Sequence, residues 1–209
     1  MPSERNREKT RKRLIMAVGS LLGRKGFKGL GVTALAREAG VDKVLIYRYF
    51  GGLPGLIAAF GREGDFWPSV AELTGNDLNG FGRLPLAEKL SRLGKTFITA
   101  MRKRPLTQEI MAWEMVERNE LTAELEVIRE NIILRFMEMY FPEVDTDIDL
   151  EAITAILGAG ISYLVTRSRN IDQYSGINLK SETGWKRLEN AIETIVRGVA
   201  GLVAPPPAR

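Results

Sequence analysis

The residue types that this chain lacks limit its chemistry first. Its 209 residues contain no Cys and no His, which removes thiolate nucleophiles, Cys/His zinc sites and every Ser-His or Cys-His triad. Catalysis would have only carboxylates, Lys, Tyr or Ser to work with. The run with a distinctive chemistry is Lys43-Val44-Leu45-Ile46-Tyr47-Arg48-Tyr49. As a helix it turns Ile46 and Phe50 to a core and leaves Lys43, Val44, Leu45, Tyr47, Arg48 and Tyr49 outward. Solvated helix faces ordinarily carry Glu, Lys or Gln. Val44 and Leu45 beside two tyrosines are costly in water unless they meet an apolar partner, and thymine methyl groups in a DNA major groove are one. Lys43, Arg48 and the tyrosine hydroxyls suit phosphate oxygens. The competing reading packs Val44 and Leu45 against the rest of the protein.

The elements around this run agree with the first reading. Leu14, Ala17/Val18 and Leu21/Leu22 recur on one face of an opening helix that Gly26 stops, with Phe27 folding back onto it. Val32, Leu35, Ala36 and Ala39 predict a short second helix. Gly40-Val41-Asp42 then forms a tight turn, with Gly40 at the left-handed position and Asp42 able to cap the helix of residues 43–49. Two short helices joined by a Gly turn behind a supporting helix make a helix-turn-helix unit, whose second helix enters the major groove. Charge follows the same division. Residues 1–50 hold 12 Lys/Arg against 4 Asp/Glu, a net +8, while residues 51–209 hold 18 against 22, a net −4. The basic part is suited to a polyanion.

The run from Arg11 through Leu56 resembles the DNA-binding domain of TetR/AcrR-type transcriptional regulators. The pieces that carry the resemblance are Leu14-Ile15-Met16-Ala17, Lys25-Gly26-Phe27, the stretch from Val32 to Val41, Lys43, and Ile46-Tyr47-Arg48-Tyr49-Phe50. It covers the first quarter of the chain and implies an all-α homodimer on a palindromic operator, with the remainder forming a ligand pocket and a dimer interface. Carried over position by position, Thr33 resembles a phosphate or base-edge contact. Lys43, Val44 and Leu45 fall where the family reads bases, and Tyr47, Arg48 and Tyr49 where it grips the backbone. Val44 and Leu45 replace the common Gly and Thr, which implies a more apolar read. Gly31 replaces a frequent Thr cap, and Leu53 a frequent Lys. Arg5, Arg7, Lys9, Arg11, Lys12 and Arg13 are either an electrostatic supplement or a solvated basic end.

Beyond the head, helical periodicity predicts a fourth helix over about 53–73, a loop over 74–84, and a helix over about 86–101 closed before Pro105. Further helices follow around Ile110 to Val116, from Leu125 to Met139, over about 147–166 and over 181–203, with a polar loop at 167–180. No strand pattern is convincing. The expected class is all-α: a helix-turn-helix domain over 1–52, a larger helical ligand-binding and dimerisation domain over 53–204, and a tail over 205–209. Gly158-Ala159-Gly160 and the apolar residues of the last two helices suit either a four-helix interface between two copies or internal core. Trp67, Phe97, Met101, Trp113, Phe136 and Tyr140 suit an adaptable apolar pocket for a small-molecule effector, or plain core. Glu114 and Glu117 suit a cationic ligand or a solvated face.

Three other signals fail. Asp145, Asp147 and Asp149 imitate the start of a calcium loop, but Leu150 and Ile156 stand where Gly and Glu are required. The glycines from Gly23 to Gly31 follow a helix, not a strand, so no dinucleotide fold is indicated. Glu124 and Glu126 are surface charges. No cofactor, metal, signal peptide or membrane span is expected, and the cytoplasm is the expected compartment. The resemblance implies a ligand-responsive DNA-binding regulator, a repressor released by a small, largely apolar effector. The alternative is an architectural DNA-binding protein without operator preference or effector.

Overall fold

The computed structural model describes residues 4–116, 118–142 and 149–203, with Leu202 and Val203 as backbone only. Their contacts divide the chain into two compact units. One runs up to Trp67 and includes Arg104–Ile132; the other comprises Pro68–Lys103 and the residues from Ile133 onward. The helices are α1 (Glu4–Lys25), α2 (Val32–Ala39), α3 (Val44–Phe50), α4 (Leu53–Glu63), α5 (Val70–Leu73), α6 (Leu78–Arg83), α7 (Leu86–Arg102), α8 (Pro105–Glu114), α9 (Glu120–Tyr140), α10 (Leu150–Arg167) and α11 (Glu182–Val203). The described chain is all-helical, with a 3-10 turn at Phe27–Gly29, apart from one hairpin of two two-residue strands.

In the first unit α1 is charged over its first half and apolar over its second. Leu14, Val18 and Leu22 are fully buried, as are Leu35 of α2, Ile46 of α3, and Leu56 and Ile57 of α4; α1 packs against α2 and α4, and α3 against α4. Each such side chain contributes roughly 1.5–3 kcal/mol of transfer free energy. Helix α8 also lies against α1. The Trp113 ring comes so close to Gly26 that a Cβ there would stand 2.6 Å from it, and Gly26 has a φ of 62° besides. Only glycine fits both constraints.

In the second unit α7 is the central helix, packed against α5, α10 and α11. Leu73, Phe81, Phe136 and Tyr140 form a buried cluster, with Leu93 and Phe97 against it. The Phe81 and Tyr140 rings meet edge-on, 5.0 Å between centroids. Arg102 of α7 lies over the Trp185 ring of α11 at 4.9 Å.

Several sequence expectations need correction. The expected fourth helix over 53–73 ends at Glu63, and a separate short helix covers 70–73. Asp65 adopts a φ of 54°, and Pro68 cannot continue a helical ladder. Ser69 then opens α5 through a capping box with Glu72. The expected loop over 74–84 contains α6, capped by the Asp77 carboxylate on the Gly80 N–H at 2.8 Å. The expected loop over 167–180 contains an antiparallel hairpin, Gln173–Tyr174 with Ile177–Asn178. Its turn residues Ser175 and Gly176 both have positive φ, at 47° and 75°.

Among the described residues, helix α10 is the one helix long and apolar enough to cross a membrane by length and composition, 18 residues at a mean hydropathy of 1.2. Asp149 caps it, accepting from the Ala152 N–H at 2.8 Å. Glu117, Asp145, Asp147 and the tail over 205–209 lie outside the described residues.

Candidate nucleic-acid interface

The turn between α2 and α3 is built as its sequence requires. Gly40 ends α2 at φ 62° and ψ 44°. The Val41 N–H then reaches back to the Ala36 carbonyl at 2.9 Å, and the Gly40 N–H to that of Arg37 at 3.1 Å. The Asp42 carboxylate accepts from the Val44 N–H at 2.8 Å, fixing the entry of α3. Gly51, at φ 75°, closes α3.

On α3 Ile46 is completely buried, which orients the helix, and the exposed side chains follow from that. Val44 is 51% exposed and Tyr47 57%; Lys43 and Arg48 are exposed as well. Thr33 is exposed in the first turn of α2. Leu45 and Tyr49 are only half-exposed. The seven residues singled out from sequence therefore share one small structural unit but divide within it. Thr33, Lys43, Val44, Tyr47 and Arg48 face water, while Leu45 and Tyr49 are partly withdrawn. Val44 and Leu45 are thus not the equivalent pair that their adjacency suggests. Gly31, the N-cap of α2, is extended and offers no side-chain cap.

Four basic residues of α1, Arg7, Arg11, Arg13 and Arg24, have ordered partners that the sequence did not reveal. Arg7 lies over the Tyr49 ring at 5.5 Å and Arg11 over Phe50 at 5.4 Å. Arg11 also binds both carboxylate oxygens of Glu63 at the end of α4. Arg13 donates to the Gly40 carbonyl at 3.1 Å, bracing the turn itself. Arg5, Lys9 and Lys12 are exposed. Ser20 and Arg24 of α1 both donate to the Glu38 carboxylate of α2, at 2.7 and 2.6 Å. The Ser20 hydroxyl first, and then Arg24, hold that carboxyl below its ordinary range. The signal that could have found these pairs is the helical phase of α1: the residues that flank its apolar stripe reach across to α2, α3 and α4.

The six candidate effector residues are divided between the units. Phe97, Met101, Phe136 and Tyr140 belong to the second unit, and Trp67 and Trp113 to the first. Met101, Phe136, Tyr140 and Trp67 are buried; Phe97 and Trp113 are half-buried. Phe136 and Tyr140 are members of the buried cluster and Phe97 packs on it. A cavity of about 450 Å³ in the second unit is lined by Pro85 and by residues of α7 and α11, most of them polar or charged, and includes none of the six. Trp67 carries the Arg129 guanidinium at 5.5 Å over its ring, and Arg129 pairs with Glu114 at 2.7 Å. Glu114 is thus not on a solvated face. Burial pushes its carboxyl up, opposed by Arg129.

The last two helices are mixed. Ile161, Val165, Trp185, Ile192 and Val196 are buried within the protomer. Ile156, Tyr163 and Ile195 are exposed at 72%, 39% and 50%. Alanines 152, 155 and 159 and Gly160 of α10, and Ala191 and Gly198 of α11, are exposed alongside them. A Cβ added at Gly158, Gly160 or Gly198 would meet nothing within 4 Å.

The family described as bacterial regulatory proteins, tetR family, matches residues 17–60. No curated protein matches the chain. Among solved structures, a TetR family transcription regulator from Marinobacter aquaeolei VT8 is similar with a TM-score of 0.58 at 16% identity, covering 91% of this chain and 96% of its own. The transcriptional regulator FadR from Bacillus subtilis, in complex with stearoyl-CoA, gives 0.61 at 18% identity, covering 88% and 96%. The multidrug binding protein EbrR, complexed with imidazole, gives 0.56 at 18% identity, covering 95% and 96%. At these identities the likeness is one of fold.

Proposed function

We propose that this chain, whose residues 17–60 are the N-terminal domain of the tetR family of bacterial regulatory proteins and whose fold is that of TetR-family regulators, is a repressor. It binds a palindromic operator as a homodimer and is released by a small, largely apolar effector. The observation that carries the reading is the exposed face of α3. Val44 and Tyr47 stand out of the surface between Lys43 and Arg48, on a helix held by a braced left-handed turn. Thr33, Lys43, Val44, Leu45, Tyr47, Arg48 and Tyr49 are the proposed DNA contacts. The outward apolar residues meet base edges, and the basic and hydroxyl groups meet phosphates.

Reading two half-sites about one helical turn apart takes two heads related by a two-fold axis. The exposed small-residue face of α10 and α11 supports an interface between two copies there. Glycines with open space let helix axes approach, and Ile156, Tyr163 and Ile195 supply apolar area. The domain division proposed is a reading head over 1–52 and an effector and dimerisation body over 53–204.

The two relatives crystallised with small molecules support an effector. Phe97, Met101, Phe136 and Tyr140 of the second unit are its proposed contacts, with the cluster around Phe136 as the apolar part. Because that cluster is packed, an effector entering it must prefer a more open body. Equal affinity for both states would shift nothing. Selection of random duplex DNA by the purified protein at near-physiological salt tests this function. The expected product is an inverted repeat whose half-sites lie about one DNA turn apart. Retention of all sequences alike would refute operator reading.

A further inference from the structure

Resting on the assignment of α3 as the reading helix, we infer that Val44 and Tyr47 read the C5-methyl group of pyrimidines, so that 5-methylcytosine is accepted at operator positions where thymine stands. The two residues are three apart and share one face of α3. With exposures of 51% and 57%, the Val44 side chain and the ring of Tyr47, whose hydroxyl is the part assigned to phosphate, are the outward apolar surface of that helix, since Ile46 is fully buried and Leu45 and Phe50 are partly withdrawn. A valine side chain has no hydrogen-bonding group, so it cannot distinguish donor from acceptor on a base edge. What it detects in a major groove is apolar volume, and that volume is the pyrimidine C5-methyl. The occupant is fixed by what surrounds the pair. Lys43 and Arg48 flank it, no acidic side chain lies on α3, and the first fifty residues carry a net +8. Cytosine differs from thymine in its hydrogen-bonding groups and in the missing methyl. Methylated cytosine restores the methyl alone.

The test uses the full-length protein and the duplex obtained by selection. Each thymine of one half-site is replaced in turn by deoxyuridine, which removes only the methyl, and affinity is measured by fluorescence anisotropy. The expected result is a loss of about three- to tenfold at one or two adjacent positions, the size of a buried methyl contact. At those positions 5-methylcytosine should bind at least about threefold better than cytosine, each paired with guanine. Val44→Ala, at an exposed position that leaves the core intact, should erase one deoxyuridine penalty while binding still depends on sequence. Deoxyuridine duplexes that all bind like the parent, or 5-methylcytosine no better than cytosine, would overturn the inference and leave operator reading standing. A protein that selects no duplex overturns both.

Discussion

Arg11 and Glu63 lie 52 residues apart and meet in a two-pronged ion pair that ties the middle of α1 to the last turn of α4. The same guanidinium lies over Phe50 at the end of α3. One side chain thus joins three helices of the first unit, on the flank that the sequence offers as a basic end for DNA. The hydrogen bond from Arg11 holds the Glu63 carboxyl below its ordinary range. A depressed folded-state pKa contributes stability that is present above the unfolded value and lost as pH falls through the folded one. Both side chains are partly exposed, 31% and 42%, so the contribution should be about 0.5–1 kcal/mol. Glu63→Gln should lower the urea midpoint at pH 7, and the gap from wild type should close well below pH 4.5, the ordinary value. An undiminished gap at pH 2.5 would assign the loss to packing and not to charge.

Gly40 holds the turn at φ 62°, and a Cβ there would stand 2.7 Å from the Arg13 guanidinium. Gly40→Ala should destabilise the protein by roughly 1–2 kcal/mol, the left-handed cost for a residue with a Cβ. The clash should also displace Arg13 from the turn. Thermal melting reads the first effect; an unchanged Tm would contradict it.

Gly31 caps α2 without a side-chain acceptor, in extended backbone, with nothing near an added Cβ. Gly31→Ser should therefore stabilise the protein by about 0.5 kcal/mol, from the new cap and the stiffer unfolded chain. Chemical denaturation of the two proteins side by side measures it.

Ile156 is 72% exposed on α10, so Ile156→Asp should leave the protomer's melting at high dilution nearly unchanged. If α10 and α11 join two copies, the same substitution should raise the dimer dissociation constant at least about tenfold by burying a charge without a partner. Sedimentation velocity across a concentration series separates the two effects. A variant as dimeric as wild type would move the interface elsewhere.

The head was more legible in the sequence than the body, and the reason is physical. Ile46 and Phe50, Gly40 and Asp42 act within one or two turns of the residues that they position, so their spacing fixes the geometry of α3. The roles of Arg7, Arg11 and Arg13 depend on partners dozens of residues away, and a basic run looks the same whether its charges meet carboxylates or water. Adjacent Val44 and Leu45 read alike in sequence; only the packing of Ile46 decides that one faces out and the other half inward. In the body, α5 and α6 are held by caps, Ser69 with Glu72 and Asp77 with Gly80, and not by long apolar periods. The Gly- and Asn-rich composition masked those local signals. Phe136 and Tyr140 have the types and spacing of either a pocket or a core, which burial alone distinguishes.

The most direct measurement compares the affinity of the protein for its selected inverted repeat with that for a scrambled duplex of the same length and composition, across a salt series. Both affinities should fall with salt, because both duplexes present the same phosphates to Lys43, Arg48 and the α1 residues. At every salt concentration the inverted repeat should bind at least about a thousandfold more tightly, the margin of a specific reader. Equal affinities throughout would contradict operator reading by α3 and leave a basic, sequence-blind DNA-binding protein.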